Sequence, residues 1–209
     1  MSTTKDTSAS GAVKILAIAG SLRRDSFNRQ LLHAARAMAP SGLHIHVEEG
    51  IGALPLFDED IEQDMLHDSP VSALRARVDE ADALLIATPE YNHSMPGVLK
   101  NALDWLSRGA PDRAVLTNKR IAVIGATAGR WGTRLAQAAL RQTLFATDSI
   151  VLAAPGLYLG GAEAVFDAEG NLRDEGVRES LSGIVNFLEE NLLAARTPHT
   201  SLPSDHKHP

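Results

Sequence analysis

The chain has 209 residues, of which 44% are hydrophobic and 22% charged, with a formal net charge of −6, and these values predict one soluble globular domain. The acidic balance excludes the clustered Lys and Arg of a nucleic-acid-binding surface, and no apolar run approaches the roughly 18 residues of a membrane helix. Cysteine is absent, which excludes disulfides, thiol nucleophiles and Cys-ligated metals, and the start lacks the apolar centre of a signal peptide, so we expect a cytoplasmic protein.

The predicted elements lie between two terminal segments. Residues 1–11 are predicted to form a flexible leader and residues 197–209 a disordered tail, which leaves 12–196 as the domain. Within it, short aliphatic runs bounded by Gly, Pro, Thr or Asp predict strands buried on both faces, as parallel sheets require. These runs are Val13–Ala19, Ala83–Ala87, Ile121–Gly125 and Ile150–Leu152.

One further strand has a different pattern. Residues 43–48, LHIHVE, alternate apolar and polar, which is typical of a strand with one face exposed, at the edge of a sheet. The segments between the strands have the three-to-four spacing of amphipathic helices. Apolar stripes run from Phe27 to Met38, Val98 to Leu106 and Val177 to Leu192, and helices also fit 70–81 and 133–146.

Five strands separated by helices predict an open, parallel α/β sheet in a three-layer α/β/α sandwich. With the second strand at an edge, the order 2-1-3-4-5 of flavodoxin-like folds is favoured over the Rossmann order 3-2-1-4-5-6, in which that strand is interior. The chain then reverses between the first and third strands. A ligand is expected in the crevice between the loops that follow Ala19 and Ala87.

The loop after the first strand is polar and contains a single glycine. A helix that starts near Ser26 would direct its free N–H groups, and roughly half a positive charge, back at this loop. Ser21, Ser26 and Asn28 can donate hydrogen bonds, and Arg23 or Arg24 can add a full charge. This set suits the terminal phosphate of a mononucleotide, which carries about −1.5 to −2. The alternative is a capped helix flanked by solvated arginines.

The loop after the third strand brings an aromatic ring and an amide, Tyr91 and Asn92, to the same edge. Loops of this kind hold flat ligands through main-chain N–H groups and ring contacts. The alternative is a turn followed by a helix with Ser94 as N-cap and Pro96 in its first turn. Glu90 has no evident carboxylate partner, so we do not predict a general acid or base there.

The loop after the fourth strand, GATAGRWGTR, contains three glycines that permit close approach of the backbone to a planar ligand.

Trp105, in the helix after the third strand, is expected in the core or at a dimer interface. His44 and His46 share one strand face, which we interpret as solvated, so no metal site is predicted. The sequence contains neither a P-loop, nor a GxGxxG after the first strand, nor a GxSxG nucleophile elbow.

Taken together, three runs resemble the NADPH-dependent FMN reductases, which include quinone, chromate and azo-dye reductases. They are GSLRRDSFN, PEYNHSMPGVLKNALDW and, more loosely, GATAGRWGTR, and LPLFDEDIE and FDAEGNLRDEGVRESL are also similar. The third run departs from several relatives at Thr127 and Trp131. The resemblance spans roughly residues 13–192.

The resemblance implies a flavodoxin-like fold that binds FMN non-covalently, as a homodimer or a dimer of dimers. It implies that one set of residues holds the phosphate: Ser21, Arg23, Ser26, Phe27 and Asn28. It implies that a second set lines the isoalloxazine ring: Pro89, Glu90, Tyr91, Asn92, Thr127 and Gly129.

The main hypothesis is an FMN-dependent oxidoreductase that takes hydride from NADPH or NADH and passes it to a quinone-like or other small acceptor. The flavin carries the redox chemistry, so no catalytic side chain is predicted. One alternative is a flavodoxin-type electron carrier that binds FMN and docks to protein partners, although such carriers usually lack arginine in the phosphate loop. A flavin-free interaction domain with the same fold is the other alternative.

Overall fold

The computed structural model describes residues 11–110 and 113–196, and within them a parallel sheet forms the middle layer. The predicted tail and all but the last residue of the predicted leader lie outside these ranges. The strands of the sheet are β1 (Val13–Ala19), β2 (Leu43–Glu48), β3 (Ala83–Ala87), β6 (Arg120–Ala126) and β7 (Ile150–Val151), with β8 (Tyr158–Leu159) pairing further along β6. A short separate hairpin contains β4 (Gly109–Ala110) and β5 (Arg113–Ala114).

The order of the sheet is β2-β1-β3-β6-β7, and all of its pairs are parallel. Without the small hairpin, this is the predicted order 2-1-3-4-5, so the flavodoxin-like fold is confirmed. The helices are α1 (Phe27–Ala37), α2 (Glu62–Met65), α3 (Pro70–Glu80), α4 (Gly97–Ser107), α5 (Arg134–Ala146) and α6 (Glu175–Arg196).

Two apolar layers cover the sheet because its central strands carry aliphatic side chains on both faces. On one face, residues such as Ile15 and Leu85 pack with α1 and α6. On the other face, Leu16 and Ile86 pack with α3, α4 and α5. Strand β3 is buried at every position, as the unbroken run ALLIA predicts. Trp105 is buried in the second layer, so the prediction of a core tryptophan is confirmed.

Strand β2 lies at the edge of the sheet and keeps its predicted alternation from Leu43 to Val47, whereas Glu48, the last polar position of that pattern, is buried and ion-paired with Arg77. Leu43 and Ile45 are buried, whereas His44 and His46 are exposed. Within the described residues, no group of three or more His, Cys, Asp or Glu side chains is placed to hold a metal ion. None of the helices in this part of the chain has the length and apolar character needed to cross a membrane.

The proposed cap of helix α4 is wrong. Helix α4 begins at Gly97 with Pro96 as its N-cap, and Ser94 makes no capping bond. The backbone of Ser94 instead pairs with that of Tyr91 in both directions, at 3.0 Å each, which closes a tight turn. Proline at the N-cap supplies no side-chain acceptor, so the first N–H groups of α4 are not capped from within the helix.

Candidate functional site

Three loops leave the sheet side by side at its carboxyl edge. The N–H of Gly20 donates to the carbonyl of Ala87 at 2.8 Å, and that of Thr88 to the carbonyl of Ile124 at 3.0 Å, so the loops after β1, β3 and β6 start as neighbours. A Cβ at Gly20 would lie 3.0 Å from Cδ2 of Leu99, so the absence of a side chain allows the first loop to pack closely against α4.

The first loop ends in the N-terminus of α1, as predicted. Ser26 is the N-cap, with φ −73° and ψ 120°, and its Oγ accepts from the N–H of Arg29 at 3.4 Å. The first turn contains no acidic residue, so the N–H groups of Phe27 and Asn28 remain available at the positive end of the helix. Arg23 and Arg24 are exposed in the loop, and Ser21 is half-buried.

Asn28 has a different role from the one expected of a loop amide. Its buried side chain donates from Nδ2 to the carbonyl of Ala126 at 2.8 Å and accepts at Oδ1 from the N–H of Ala126 at 2.9 Å. This pair of bonds fixes the start of α1 to the end of β6. The side chain of Asn28 therefore positions the end of the first loop, while its backbone N–H points out of the helix terminus.

Aromatic rings support the arginine of the first loop. The guanidinium carbon of Arg23 lies 5.7 Å from the ring centroid of Phe27, and that ring stacks on Phe166 with centroids 6.1 Å apart and planes at 14°. Phe166 belongs to the FDAEGNLRDEGVRESL run, to which the sequence assigned no role. Phe166 and Leu172 form an isolated backbone bridge there, and Asp167 accepts backbone N–H bonds from Glu169 and Asn171.

The second loop contains a carboxylate that caps another helix, followed by a tight turn. Asn92 and His93 have φ of 49° and 65°, so both central residues of the turn are in the left-handed region. Oε2 of Glu90 accepts from the N–H groups of Leu135 and Ala136, at 2.9 and 3.0 Å. Helix α5 has no cap from its own N-cap residue, so Glu90 supplies this function from another loop.

The third loop is held by backbone packing. Oγ1 of Thr127 accepts from the N–H of Gly129 at 3.3 Å, and the carbonyl of Gly129 accepts from Gly161 at 3.2 Å. A Cβ on Gly125 would collide with Thr133 and the carbonyl of Thr88, so this glycine serves protein packing rather than ligand approach. Gly129 is exposed and its Cβ position is open apart from Thr127, which leaves room for a ligand.

The fold and this site define a flavodoxin-like α/β protein in which a polar loop at the N-terminus of α1 lies beside two further loops at the carboxyl edge of the sheet. The model of one protein family, described as NADPH-dependent FMN reductase, matches residues 13–164. The chain therefore belongs to the NADPH-dependent FMN reductase family. It is an oxidoreductase that uses FMN and a reduced nicotinamide nucleotide, so the predicted enzyme class and cofactors are confirmed.

Individual relatives agree with this assignment. The chain is 44% identical over 170 residues to a 2-hydroxy-1,4-benzoquinone reductase from a Burkholderia species, covering 81% of this chain and 91% of that protein. It is also 44% identical over 177 residues to an NAD(P)H-dependent FMN reductase of Pseudomonas aeruginosa, with coverage of 85% and 94%. Among solved structures, FerB, a flavoenzyme NAD(P)H:(acceptor) oxidoreductase from Paracoccus denitrificans, superposes with a TM-score of 0.78 at 32% identity, covering 88% and 98%.

Proposed function

We propose that this enzyme passes reducing equivalents from NADPH or NADH, through FMN, to a small quinone-like acceptor. The observation that carries the proposal is the N-terminus of α1 at the carboxyl edge, where the N–H groups of Phe27 and Asn28 face a loop with two exposed arginines. The acceptor class is supported by similarity to proteins named 2-hydroxy-1,4-benzoquinone reductase and quinone reductase. Family membership favours this function over that of an electron carrier.

The first loop fits the terminal phosphate of FMN. Within the described residues, Arg23 is in no ion pair, so its charge is not already neutralised. Ser21, Ser26 and the backbone N–H groups of Phe27 and Asn28 add donors around it. The side chain of Asn28 acts here as a positioning group through Ala126.

The second and third loops fit the isoalloxazine ring through main-chain groups. With its carboxylate engaged at α5, Glu90 would contribute its backbone, as would Pro89 and Asn92. Tyr91 is 49% exposed and can lie against the ring. On the other side, the contacts would come from Thr127 and Gly129.

The chain's own contribution to the reaction is binding and orientation. FMN, when bound, supplies the redox chemistry. In that bound state, backbone N–H groups of the second and third loops would stabilise negative charge on the reduced ring, and no side chain would need to move a proton. Glu90 is the carboxylate of the second loop, and its two hydrogen bonds to α5 leave it as a structural cap rather than a proton donor.

We also propose a cytoplasmic location, an autonomous unit of residues 12–196, and a homodimer or dimer of dimers. The assembly is supported by an exposed stripe on α5 that contains Leu135 and Phe145, which are 47% and 81% exposed. Large apolar side chains that are exposed on a single subunit are often buried by the partner subunit, so we expect α5 to contribute to the subunit interface. Sedimentation at several protein concentrations tests the assembly.

The function is tested by titrating the purified protein with FMN and then measuring oxidation of NADPH and of NADH with 1,4-benzoquinone. We expect stoichiometric FMN binding and steady turnover that depends on the quinone. A protein that binds FMN but turns over only with a protein acceptor would support the electron carrier, and a protein that takes up no FMN would overturn both functions.

A further inference from the structure

Two arginines of the third loop carry charge that the FMN phosphate does not need. The guanidinium carbon of Arg130 lies 4.5 Å from the ring centroid of Trp131, and that of Arg134 lies 4.9 Å from the ring centroid of Tyr158. In the described part of the chain, neither guanidinium has a carboxylate partner, whereas Arg108 and Arg173 are both ion-paired. In a chain of net charge −6, such unpaired cations form a local positive surface.

Trp131 presents an aromatic face to solvent beside these charges. It is 73% exposed, and the guanidinium of Arg130 lies over its ring, so one face remains for a planar partner. The stack holds the guanidinium in a fixed plane and leaves its N–H edge free to bind a phosphate in bidentate fashion.

Arg130 and the ring of Trp131 are called the platform below. Backbone contacts with the neighbouring segment around Tyr158 hold this platform in place. Gly132 has φ 70°, and a Cβ there would collide with the carbonyl of Tyr158. A Cβ at Gly160 would lie 2.7 Å from the carbonyl oxygen of Arg130. Side chains at these two glycines are thus incompatible with the observed packing, and the Arg130–Trp131 pair is mounted on a closely packed segment rather than on a loose loop.

The platform adjoins the proposed flavin site. Thr127 and Gly129, proposed to contact the ring, belong to the same loop, and Glu90 ties the second loop to the start of α5 directly after Arg134. The FMN phosphate is proposed to lie on a different support, the Arg23–Phe27 stack. A second ligand that carries an anionic group and a flat ring could therefore bind to the platform beside the proposed flavin site, without competing for the support of the FMN phosphate.

We propose that Trp131, Arg130 and Arg134 form a subsite for the phosphorylated adenosine end of NADPH, an inference that rests on the proposed function. Adenine stacks on the open face of Trp131, and the 2′-phosphate binds the guanidinium groups. The subsite gives the enzyme a preference for NADPH over NADH, because NADH lacks the 2′-phosphate.

The first test is steady-state kinetics of Arg130→Gln and Trp131→Ala with saturating FMN and quinone. For Arg130→Gln we expect KM for NADPH to rise about tenfold or more, KM for NADH to change far less, and kcat to stay the same. Trp131→Ala raises KM for both nucleotides, since both contain adenine. Arg36→Gln, an exposed arginine at the far end of α1, is the matched control and leaves all three values unchanged.

The second test reads the subsite without turnover. Adenosine 2′,5′-bisphosphate should quench the tryptophan fluorescence of the wild-type protein, which contains only Trp105 and Trp131, more strongly than 5′-AMP does, and Trp131→Phe should abolish most of the quenching. This titration does not depend on activity, so a protein without FMN-dependent turnover but with this quenching would refute the proposed function and retain the subsite.

Three results would overturn the inference. They are an equal change in KM for NADPH and NADH in Arg130→Gln, unchanged fluorescence with the bisphosphate, and a change of oligomeric mass in Trp131→Ala with normal KM for NADPH. The last result would identify Trp131 as a subunit contact instead.

Discussion

The side chain of Asn28 and the backbone of Ala126 exchange two hydrogen bonds, 2.8 and 2.9 Å long, across 98 positions of the chain. Asn28→Ala leaves a buried N–H and a buried carbonyl without partners, so we expect the free energy of unfolding to fall by about 2–4 kcal/mol. Affinity for FMN should fall as well, because the start of α1 loses its attachment to β6. Urea unfolding and FMN titration measure the two effects.

The control for this substitution is Asn186→Ala, at an exposed position of α6. It should leave both quantities within the error of the wild type. Equal free energies of unfolding for the Asn28→Ala and Asn186→Ala proteins would show that the two hydrogen bonds of the buried amide do not stabilise the fold.

Arg23 and Arg24 are adjacent and both exposed, yet only Arg23 has an aromatic support. A charge-assisted phosphate contact is worth about 1.5–3 kcal/mol, so Arg23→Gln should weaken FMN binding about 10- to 150-fold. Arg24→Gln is the matched control and should weaken it only through the loss of a distant charge, which added salt screens. Fluorescence titration with FMN distinguishes the two, and a larger effect at Arg24 would reassign the phosphate contact.

Sequence patterns predicted the sheet well because its strands are buried in a simple way. The limits of β1, β2 and β3 agree with the runs read from the sequence, and the alternation LHIHVE placed β2 at an edge. These signals are local, since each strand carries its burial pattern in its own residues. The start of α4 was wrong because serine is a favoured cap locally, whereas Ser94 pairs with Tyr91 in a turn.

The candidate site was only partly predictable, because its connections are long-range. Nothing in the local sequence indicates that the Asn28 amide reaches Ala126, or that Glu90 caps a helix 45 positions later. Phe166 lies in a loop without periodicity, so its stacking on Phe27 had no sequence signal. The resemblance to a known family identified FMN as the expected cofactor. The tertiary contacts in the structure then distinguish the residues that position the loops from those that are available to a ligand.

Glu90 serves as the cap of α5 from outside that helix. Glu90→Ala removes an acceptor for two first-turn N–H groups and should lower the free energy of unfolding by about 0.5–2 kcal/mol. Glu90→Gln keeps an amide oxygen at the same place and should retain much of that stability and nearly all turnover with NADPH and quinone. Loss of turnover in a stable Glu90→Gln protein would instead assign the carboxyl group to proton transfer.

Asp82 joins the start of β1 to the end of α6. Burial by itself raises the pKa of this carboxyl, but hydrogen bonds from Arg196 and the N–H of Lys14, both 2.8 Å, and the charges of Arg196 and Lys119 lower it below the usual 3.8. A lowered pKa in the folded state means that the ionised group stabilises the fold above pH 3.8, and that this contribution is lost as the pH falls through the folded-state pKa.

Asp82→Asn should accordingly be less stable than wild type at pH 7, and the difference should shrink as the pH falls below 3.8. Urea unfolding at pH 7, 5 and 3 measures this convergence. Glu190→Gln, at an exposed position of α6, provides the comparison and should show no such dependence. A difference between Asp82→Asn and wild type that is constant across the three pH values would contradict the linkage.

Phe166 supports Arg23, the arginine proposed to bind the phosphate, through the ring of Phe27. The two rings stack with centroids 6.1 Å apart, and Arg23 lies 5.7 Å above Phe27, so the loss of Phe166 leaves both groups free to move. An aromatic pair contributes about 0.5–1.5 kcal/mol beyond its buried area, so Phe166→Leu should raise the Kd for FMN about 2- to 12-fold, with kcat at saturating FMN unchanged. Phe187→Leu, on the half-buried side of α6, removes a comparable ring from the same apolar layer and controls for general destabilisation. Equal FMN affinity in the two variants would mean that Phe166 stabilises the fold alone, whereas a weaker Kd only in Phe166→Leu would identify it as a positioning residue for Arg23.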